Sequence, residues 1–305
     1  MHYHALETYR SLLQEVECFW TPVPDKPEET AEGVLCALWS TASGAPVSVD
    51  RVGGHALPLL DPEGLERLRG LIERRKSGVP LAHLTERQTF MGLELLAGPE
   101  ALIPRKETEI LGRAALAKIA YMAEARGEVA VLDICTGSGN LALAFAHYEP
   151  RARVYASDLT DDAVALARRN CEFMRLGERV AIAQGDLLAP FESERFLGRC
   201  DFVSCNPPYI SSAKVKDMHP EISRHEPEAA FNGGAYGVSI LMKLVKNAPR
   251  FLKPGSWLGF EVGHGQGAGI VRQLERSPAY ETIESHFDEG GEIRAILAKS
   301  WPREE

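Results

Sequence analysis

From residue 128 onward, short β-branched runs alternate with longer amphipathic stretches. The first run is Val129–Ile134, and a glycine-containing turn separates it from a helical stretch at 140–147. The later runs, and the helical stretches between them, are 153–158, 161–174, 180–183, 200–205, 238–251 and 256–262. Such alternation predicts an α/β fold with a doubly wound, mostly parallel sheet. The last runs, 280–283 and 294–298, predict a C-terminal antiparallel hairpin.

The preceding part of the chain has a helical pattern. Apolar residues recur at three- and four-residue spacing over 5–16 and again over 57–72. Asp61 and Pro62 form a good helix start, because the carboxylate caps free N–H groups and proline fits the first turn. The basic residues within 67–76 are expected to cover the solvated face of this second helix.

A connecting segment separates the two patterns. Residues 90–104 have alternating apolar positions, which predicts a hairpin. We therefore expect a small helical domain at 1–85, a connecting hairpin or linker at 86–110 and the α/β domain at 111–305.

Composition narrows the class of function. The 305 residues are 45% hydrophobic and 25% charged, as in soluble globular proteins. The formal net charge of -9 argues against a protein that coats nucleic acid, since such binding uses a cationic face. No apolar run is long enough to cross a bilayer, and the first residues do not resemble a secretion signal. Six cysteines without CxxC pairing and nine histidines without metal-ligand spacing predict a cytoplasmic protein with reduced thiols and no metal.

The turn after the first strand predicts a ligand-binding loop. Gly137 and Gly139 tolerate positive φ and let the backbone approach a ligand. Asp158 ends the second strand, where a carboxylate can accept hydrogen bonds from two ribose hydroxyls. Asp186 closes the third strand and can face an adenine amino group. The loop fits a dinucleotide as well as a nucleoside, because position 142 holds an alanine that the dinucleotide fingerprint allows.

The segment Asn206-Pro207-Pro208-Tyr209 directly follows the fourth strand and predicts the reaction. The prolines fix φ and lack N–H groups, so the carbonyls point in defined directions. An asparagine carbonyl and a main-chain carbonyl can accept both hydrogens of a planar NH2 group, while the tyrosine ring stacks on its plane. A nitrogen held about 3 Å from a sulfonium methyl can be methylated. The neighbouring nucleoside loop therefore predicts S-adenosyl-L-methionine as the methyl donor.

With these residues the chain resembles the release-factor glutamine N5-methyltransferase family of class I methyltransferases. The segments that carry the resemblance, in family order, are 78–84, 90–92, 102–109, 133–140, 206–210, 225–227 and 261–267. Residues 206–209 alone are shared with adenine-N6 and guanine methyltransferases, whereas the combination with 102–109 is more specific. The resemblance implies a Rossmann-like fold, S-adenosyl-L-methionine converted to S-adenosyl-L-homocysteine, a glutamine of a peptide chain release factor as acceptor, and substrate recognition by residues 1–85.

The resemblance also implies roles for individual residues. Asn206, Pro207, Pro208 and Tyr209 would hold the substrate amide. The residues that would bind the cofactor are Arg105, Thr108, Asp133, Cys135, Thr136, Gly137, Ser138, Gly139, Asp158, Leu159, Asp186, Leu187 and Asn206. Glu109 would lie near the cofactor's methionine end or brace the loop. Both Glu107 and Glu109 fit a capping role for the following helix equally well.

Three positions depart from the family pattern. Cys135 stands where glycine is usual, Lys106 where proline is usual and Tyr236 where aspartate is common. These changes leave open a paralogue that methylates another protein amide. The sequence is also compatible with methylation of a nucleobase amine (adenine N6 or guanine N2) and with a non-catalytic cofactor-binding module. Contact with nucleic acid is expected only through a ribosome-associated substrate, and no membrane partner is expected.

Overall fold

The first part of the chain is helical. The computed structural model describes residues 3–22, 26–53, 57–211, 220–234 and 237–301. Its first helices are α1 Tyr3–Phe19, α2 Ala31–Ala42, α3 Pro62–Lys76 and α4 Leu81–Thr85. Asp61 caps α3 as predicted, by accepting a hydrogen bond from the Gly64 N–H at 2.6 Å. The four helices enclose a cluster of buried apolar side chains of their own.

Helix α2 has no separate periodic signal in the sequence. It is apolar on most sides, and its buried residues include Val34, Leu35, Leu38 and Trp39. A helix that is buried on most sides shows no single apolar stripe, so periodicity predicts only the two amphipathic helices around it.

A connecting hairpin is present, but it spans 87–96 and so lies earlier than the 90–104 that the alternating apolar positions predict. It consists of β1 Arg87–Phe90 and β2 Leu93–Leu96, which pair antiparallel. The following elements are α5 Thr108–Arg126, β3 Val129–Ile134, α6 Asn140–Tyr148, β4 Ala152–Asp158, α7 Asp161–Phe173, β5 Val180–Gln184, β6 Cys200–Cys205, α8 Pro220–His225, α9 Ser239–Asn247, β7 Leu252–Glu261, α10 Gly267–Glu275, β8 Tyr280–Phe287 and β9 Ile293–Ser300.

These strands form one seven-stranded sheet in the order β5-β4-β3-β6-β7-β9-β8. In this order, β5, β4, β3, β6 and β7 each run parallel to the next strand. Strand β9 runs antiparallel to both β7 and β8. Separate apolar clusters cover its two faces. The predicted doubly wound fold with a C-terminal antiparallel hairpin is thereby confirmed. Within the described ranges, no helix has the length and apolar character needed to span a membrane.

Strand β7 begins earlier than its β-branched run predicts. It includes Pro254 and Gly255, residues that are typical of the end of a helix. The pairing with β6 shifts here, from Cys200 opposite Leu252 to Phe202 opposite Trp257. At a bulge the ladder needs no hydrogen bond from the proline nitrogen, so Pro254 can lie within strand β7.

The sheet order places the predicted site residues together. Ile134 at the end of β3 pairs with Ser157 of β4 on one side and with Cys205 of β6 on the other. The three strands therefore end at the same level, where the order of the sheet reverses. Loops at this reversal form the usual ligand crevice of an open α/β sheet.

Candidate functional site

A cavity opens at the carboxyl ends of these strands, with about 990 Å³ of space counted out into the solvent at its mouth. We call it the larger cavity, because the space of the second cavity described below, counted in the same way, is about 670 Å³. The sequence-predicted residues that line it are Arg105, Thr108, Cys135, Thr136, Gly137, Ser138, Asp158, Leu159, Asp186, Leu187, Asn206 and Pro208. Two predicted cofactor residues, Asp133 and Gly139, do not line it.

The loop after β3 turns on three residues with left-handed backbone conformation. Cys135, Gly137 and Gly139 have φ angles of 57°, 55° and 85°. A Cβ at position 139 would lie 3.2 Å from Leu143 and 3.3 Å from Ala167, so the close approach of α6 to α7 favours glycine there. Cys135 adopts this conformation despite its side chain, which gives a physical reason for the usual glycine of the family.

Asp133 lies behind the loop. Its side chain is 1% exposed. Its oxygens accept hydrogen bonds from Ser204 Oγ at 2.5 Å and from Thr136 Oγ1 at 2.6 Å. Burial raises the pKa of Asp133 to about 6, although these hydrogen bonds act in the opposite direction. The structure thus gives Asp133 a supporting position, one layer behind the residues that face the cavity.

Asp158 lies at the cavity wall beside the loop. Its Oδ2 accepts a hydrogen bond from the Gly137 N–H at 2.9 Å, and its Oδ1 accepts one from the Thr160 N–H at 3.3 Å. Helix α7 is capped by Thr160, whose Oγ1 accepts from the Ala163 N–H. Because an ionised carboxylate has about four acceptor positions, Asp158 retains capacity for ligand hydroxyls.

Two wall segments carry no individual prediction from the sequence. The cavity is also lined by Ala101, Leu102, Pro104, Pro227, Ala229 and Ala230. Glu226 joins them: it accepts a hydrogen bond from the Ile103 N–H at 2.9 Å and forms an ion pair with Arg105. The 225–227 family segment is the signal that points to this wall, although only tertiary structure reveals what it contacts.

A second cavity adjoins the first. We call it the adjoining pocket. Its lining residues are Leu102, Arg105, Glu107, Asn206, Pro207, Tyr209, Ile210, Ile222, Ala230, Phe231 and Arg294. Asn206 lines both cavities, while Pro208 faces the larger cavity and Pro207 the adjoining pocket. The predicted tetrapeptide therefore lies at the boundary between the two cavities, together with Leu102, Arg105 and Ala230, which also line both.

Polar groups of the tetrapeptide form hydrogen bonds with residues of other segments. Asn206 Nδ2 donates a hydrogen bond to Thr108 Oγ1 at 3.1 Å. The Tyr209 hydroxyl donates to Glu261 Oε1 at 2.9 Å, and the Tyr209 carbonyl accepts from Gln266 Nε2 at 3.0 Å. The Glu261 carboxylate, followed by burial, raises the pKa of Tyr209 far above its usual range, so the hydroxyl stays protonated.

The two acidic residues at the start of α5 take separate positions. Glu107 lines the adjoining pocket and makes no side-chain cap to α5. Glu109 accepts a hydrogen bond from the Met91 N–H at 2.8 Å and pairs with Arg113, so it braces the connecting hairpin. Lys106 pairs with Asp50 at 3.4 Å on the surface. Tyr236, the third departure from the family pattern, lies outside the described residues.

The thiol of Cys205, next to the tetrapeptide, is not activated. Burial, with the neighbouring Cys135 thiol, raises the pKa of Cys205 well above its usual range. A protonated thiol is a weak nucleophile, so covalent catalysis by Cys205 is disfavoured. Among the described residues, no group of three or more His, Cys, Asp or Glu side chains could hold a metal ion.

The larger cavity fits the predicted cofactor. Leu141 and Leu187 offer apolar surface for a base, while Asp158 and Asp186 offer acceptors for hydroxyl and amino groups. Ser138 Oγ is buried and has no hydrogen-bond partner in the described part of the chain, which leaves a polar group for a ligand.

Comparison with known proteins gives a consistent family. A family model described as methyltransferase small domain matches residues 115–235. The release factor glutamine methyltransferase of Geobacter sulfurreducens is 38% identical over 235 residues, which cover 76% of this chain and 78% of that protein. That of Bacillus cereus is 29% identical over 300 residues, covering 97% and 98%. The solved N-terminal domain of human METTL16 in complex with SAH shares the fold, with a TM-score of 0.51 and 17% identity over 81% of this chain and 85% of that one. The chain therefore belongs to the family of release factor glutamine methyltransferases.

Proposed function

We propose that this protein transfers a methyl group from S-adenosyl-L-methionine to the side-chain amide nitrogen (N5) of a glutamine in a peptide chain release factor. Relatives that cover most of the chain bear the name of that activity. For this chain, the proposal rests on one observation: Asn206 lines both the larger cavity and the adjoining pocket. A residue at this junction can hold an acceptor group against the reactive end of a cofactor.

The glycine loop and the two acidic strand ends would hold the cofactor. S-adenosyl-L-methionine supplies an electrophilic methyl group on a sulfonium sulfur. Asp158 accepts hydrogen bonds from the ribose hydroxyls, Asp186 faces the amino group of the base, and Gly137 lets the backbone approach. Asp133 and Gly139 contribute by fixing the shape of this loop.

Asn206 and Pro207 would hold the acceptor amide. Because Asn206 Nδ2 already donates to Thr108, its Oδ1 is the atom that accepts one amide hydrogen. The Tyr209 carbonyl is engaged by Gln266, so we assign the second acceptor role to the carbonyl of Pro207. The Tyr209 ring offers a flat surface for the amide plane. The two carbonyls orient the nitrogen and stabilise the positive charge that develops on it.

The helical part of the chain would recognise the protein substrate. We assign residues 1–85 to this recognition domain, 86–110 to the connecting segment and 111–305 to the catalytic domain. Support comes from the separate apolar core of α1 to α4 and from the hairpin β1–β2 that follows it. Release factors act on ribosomes, so the proposal places the enzyme in the cytoplasm, with nucleic acid reached only through its substrate.

The test is a methyl-transfer assay on a purified release factor. Mass spectrometry of the digested factor should show the mass gain of one CH2 group on a single glutamine. Asn206→Ala should lower kcat on the order of 100-fold or more, because one of the two amide acceptors is lost. Asn247→Ala, a change at the last residue of α9 that lines neither cavity, is the matched control and should leave kcat unchanged.

Different outcomes separate the candidate functions. Methylation of ribosomal RNA or DNA, without modification of the release factor, would favour a nucleobase amine as the acceptor. Calorimetric binding of S-adenosyl-L-methionine without turnover on either substrate would indicate a non-catalytic module. Near-normal turnover of Asn206→Ala would contradict the role given to the tetrapeptide.

A further inference from the structure

Two charged side chains line the adjoining pocket without a part in the proposed methyl transfer. Arg294 lies at the start of strand β9, and Glu107 directly precedes helix α5. Both are half-buried, and neither lines the larger cavity that would hold the cofactor. Taking a charged group partly out of water costs free energy unless it gains partners, so the partners of these two residues indicate their role.

The side chain of Arg294 has open hydrogen-bonding capacity. Its Nε is buried and has no hydrogen-bond partner in the part of the chain that the structure describes. Its backbone is fixed, because the Arg294 carbonyl accepts a hydrogen bond from the Val262 N–H at 2.9 Å and the next residue, Ala295, pairs with Glu261 of β7. Buried polar groups are nearly always satisfied in folded proteins, so an open donor at a pocket indicates a ligand.

The side chain of Glu107 is open in the same way. It makes no cap hydrogen bond to α5. Among the described residues, Glu107 and Arg294 form no ion pair with each other or with a third residue, although they line one pocket. A carboxylate accepts hydrogen bonds and a guanidinium donates them, so the two residues together offer both functions with no net charge.

This combination fits a peptide main chain. Each peptide unit carries one carbonyl acceptor and one N–H donor, and it has no charge. A phosphate of a nucleic acid would be attracted by Arg294 but repelled by Glu107, and it has no donor for that carboxylate. The remaining walls include apolar side chains, which suit the methylene groups of a glutamine: Leu102, Ile210, Ile222 and Phe231.

We propose that Arg294 and Glu107 are specificity-determining residues that bind the main chain of the protein substrate next to the acceptor glutamine. The Arg294 guanidinium donates to a peptide carbonyl, and the Glu107 carboxylate accepts from a peptide N–H. This inference rests on the proposed function, since it takes the acceptor amide to be held by Asn206 in the same pocket. The class of substrate that the pocket selects is a glutamine within a polypeptide.

The first test is the variant Arg294→Met, which keeps an apolar stem and removes the donors. We expect the KM for release factor to rise about tenfold or more while kcat stays within about threefold, because a main-chain contact is made in the ground state and the transition state alike. The Kd for S-adenosyl-L-homocysteine should stay within about threefold of wild type, since Arg294 does not line the larger cavity. Arg272→Met, an exposed change on helix α10, is the matched control and should behave as wild type.

The variant Glu107→Met tests the acceptor half of the pair. It should raise the KM for release factor in the same way, whereas Glu124→Met, an exposed change on α5, should not. Arg294→Lys keeps a donor and should recover part of the affinity that Arg294→Met loses. If Arg294→Met does not fold, Glu107→Met decides: an unchanged KM contradicts the proposal, and a raised KM with unchanged cofactor-product binding supports it.

Ester analogues test recognition of the main chain itself. Two synthetic peptides centred on the acceptor glutamine carry an ester oxygen in place of a peptide N–H, one before and one after that residue. Both are compared with the all-amide peptide as inhibitors of release-factor methylation. One ester should raise the inhibition constant about tenfold with wild-type enzyme but less than about twofold with Glu107→Met, because the acceptor for that N–H is already absent. Equal inhibition by the three peptides would overturn the proposal.

The remaining outcomes are also decisive. Arg294→Met with a KM within about twofold of wild type overturns the proposal. So does a parallel loss of kcat, cofactor-product affinity and thermal stability: burial raises the pKa of Glu261 and the charge of Arg294 opposes this, so that result would mark Arg294 as a structural counter-charge. Stronger inhibition by free glutamine than by the all-amide peptide would assign the two side chains to a charged amino acid and is equally contrary. Failure of the proposed function is distinct, because wild-type protein would then not methylate release factor at all.

Discussion

The backbone conformation of Cys135, more than its thiol, sets this residue apart in the loop after β3. The residue lines the larger cavity, and among the three residues of this loop with positive φ it is the one that carries a side chain, at a φ of 57°. A side chain in this conformation costs about 1–2 kcal/mol. The cysteine at this position is therefore a source of local strain in the loop.

A matched pair of substitutions measures this strain. Cys135→Gly and Cys135→Ala remove the same sulfur, but only alanine keeps the Cβ that clashes at positive φ. We expect the glycine variant to be more stable than the alanine variant by about 1 kcal/mol, measured by urea unfolding. Position 205, in the middle of the sheet, is the control, and there the alanine variant should be the more stable one. An alanine preference at both positions would refute the strain.

Among the contacts between elements, the side chain of Asn170 connects helix α7 to strand β2 and to the glycine loop after β3. It lies on α7 and is fully buried. Its Oδ1 accepts from the Leu96 N–H at 2.6 Å, and its Nδ2 donates to the carbonyls of Leu96 and Ser138, both at 3.0 Å. One side-chain amide thus forms hydrogen bonds both with the backbone at the outer edge of β2 and with the backbone of the glycine loop. No local pattern predicts this contact, because Leu96 and Ser138 are far from Asn170 along the chain.

Removing this amide should weaken both the fold and the loop. Asn170→Leu leaves the Leu96 and Ser138 groups without partners in a buried site, at a cost of about 3 kcal/mol in the free energy of unfolding. Because Ser138 belongs to the loop, binding of S-adenosyl-L-homocysteine should weaken as well, measured by calorimetry. Glu172→Ala, an exposed change on the same helix, is the control and should alter neither quantity. Cofactor-product affinity equal to wild type in Asn170→Leu would contradict the link to the loop.

Across the whole molecule, a buried group of charges joins the helical part to the site. Arg75 pairs with Glu29 at 3.0 Å and with Glu221 at 2.9 Å, and Lys26 pairs with both acids. Arg75 is 9% exposed, so the expectation that the whole 67–76 basic run covers a solvated face was wrong for this residue. Glu221 lies on α8, next to Ile222 of the adjoining pocket. Helix α3 and the loop before α2 therefore hold one wall of that pocket.

Arg75→Met tests this connection. It leaves Glu29 and Glu221 with less counter-charge in a buried site, so the free energy of unfolding should fall by about 3 kcal/mol. The KM for release factor should rise, because the wall that contains Ile222 loses its support. Arg74→Met, on the exposed side of the same helix, is the control and should leave both the unfolding midpoint and the KM unchanged. Equal stability of the two variants would show that the charges do not join the parts.

Local patterns in the chain are sufficient to predict the sheet and the position of its loops, because each segment carries its own hydrophobic periodicity and turn residues. The tetrapeptide 206–209 and the acid at position 158 are predictable for the same reason. Three features emerge only from the folded chain: Asp133 supports the loop from behind, Glu226 closes the cavity wall and Arg75 is buried. They depend on which residues, distant in sequence, come into contact in the fold. The residues adjacent to a polar side chain in the sequence determine neither its burial nor its hydrogen-bond partners.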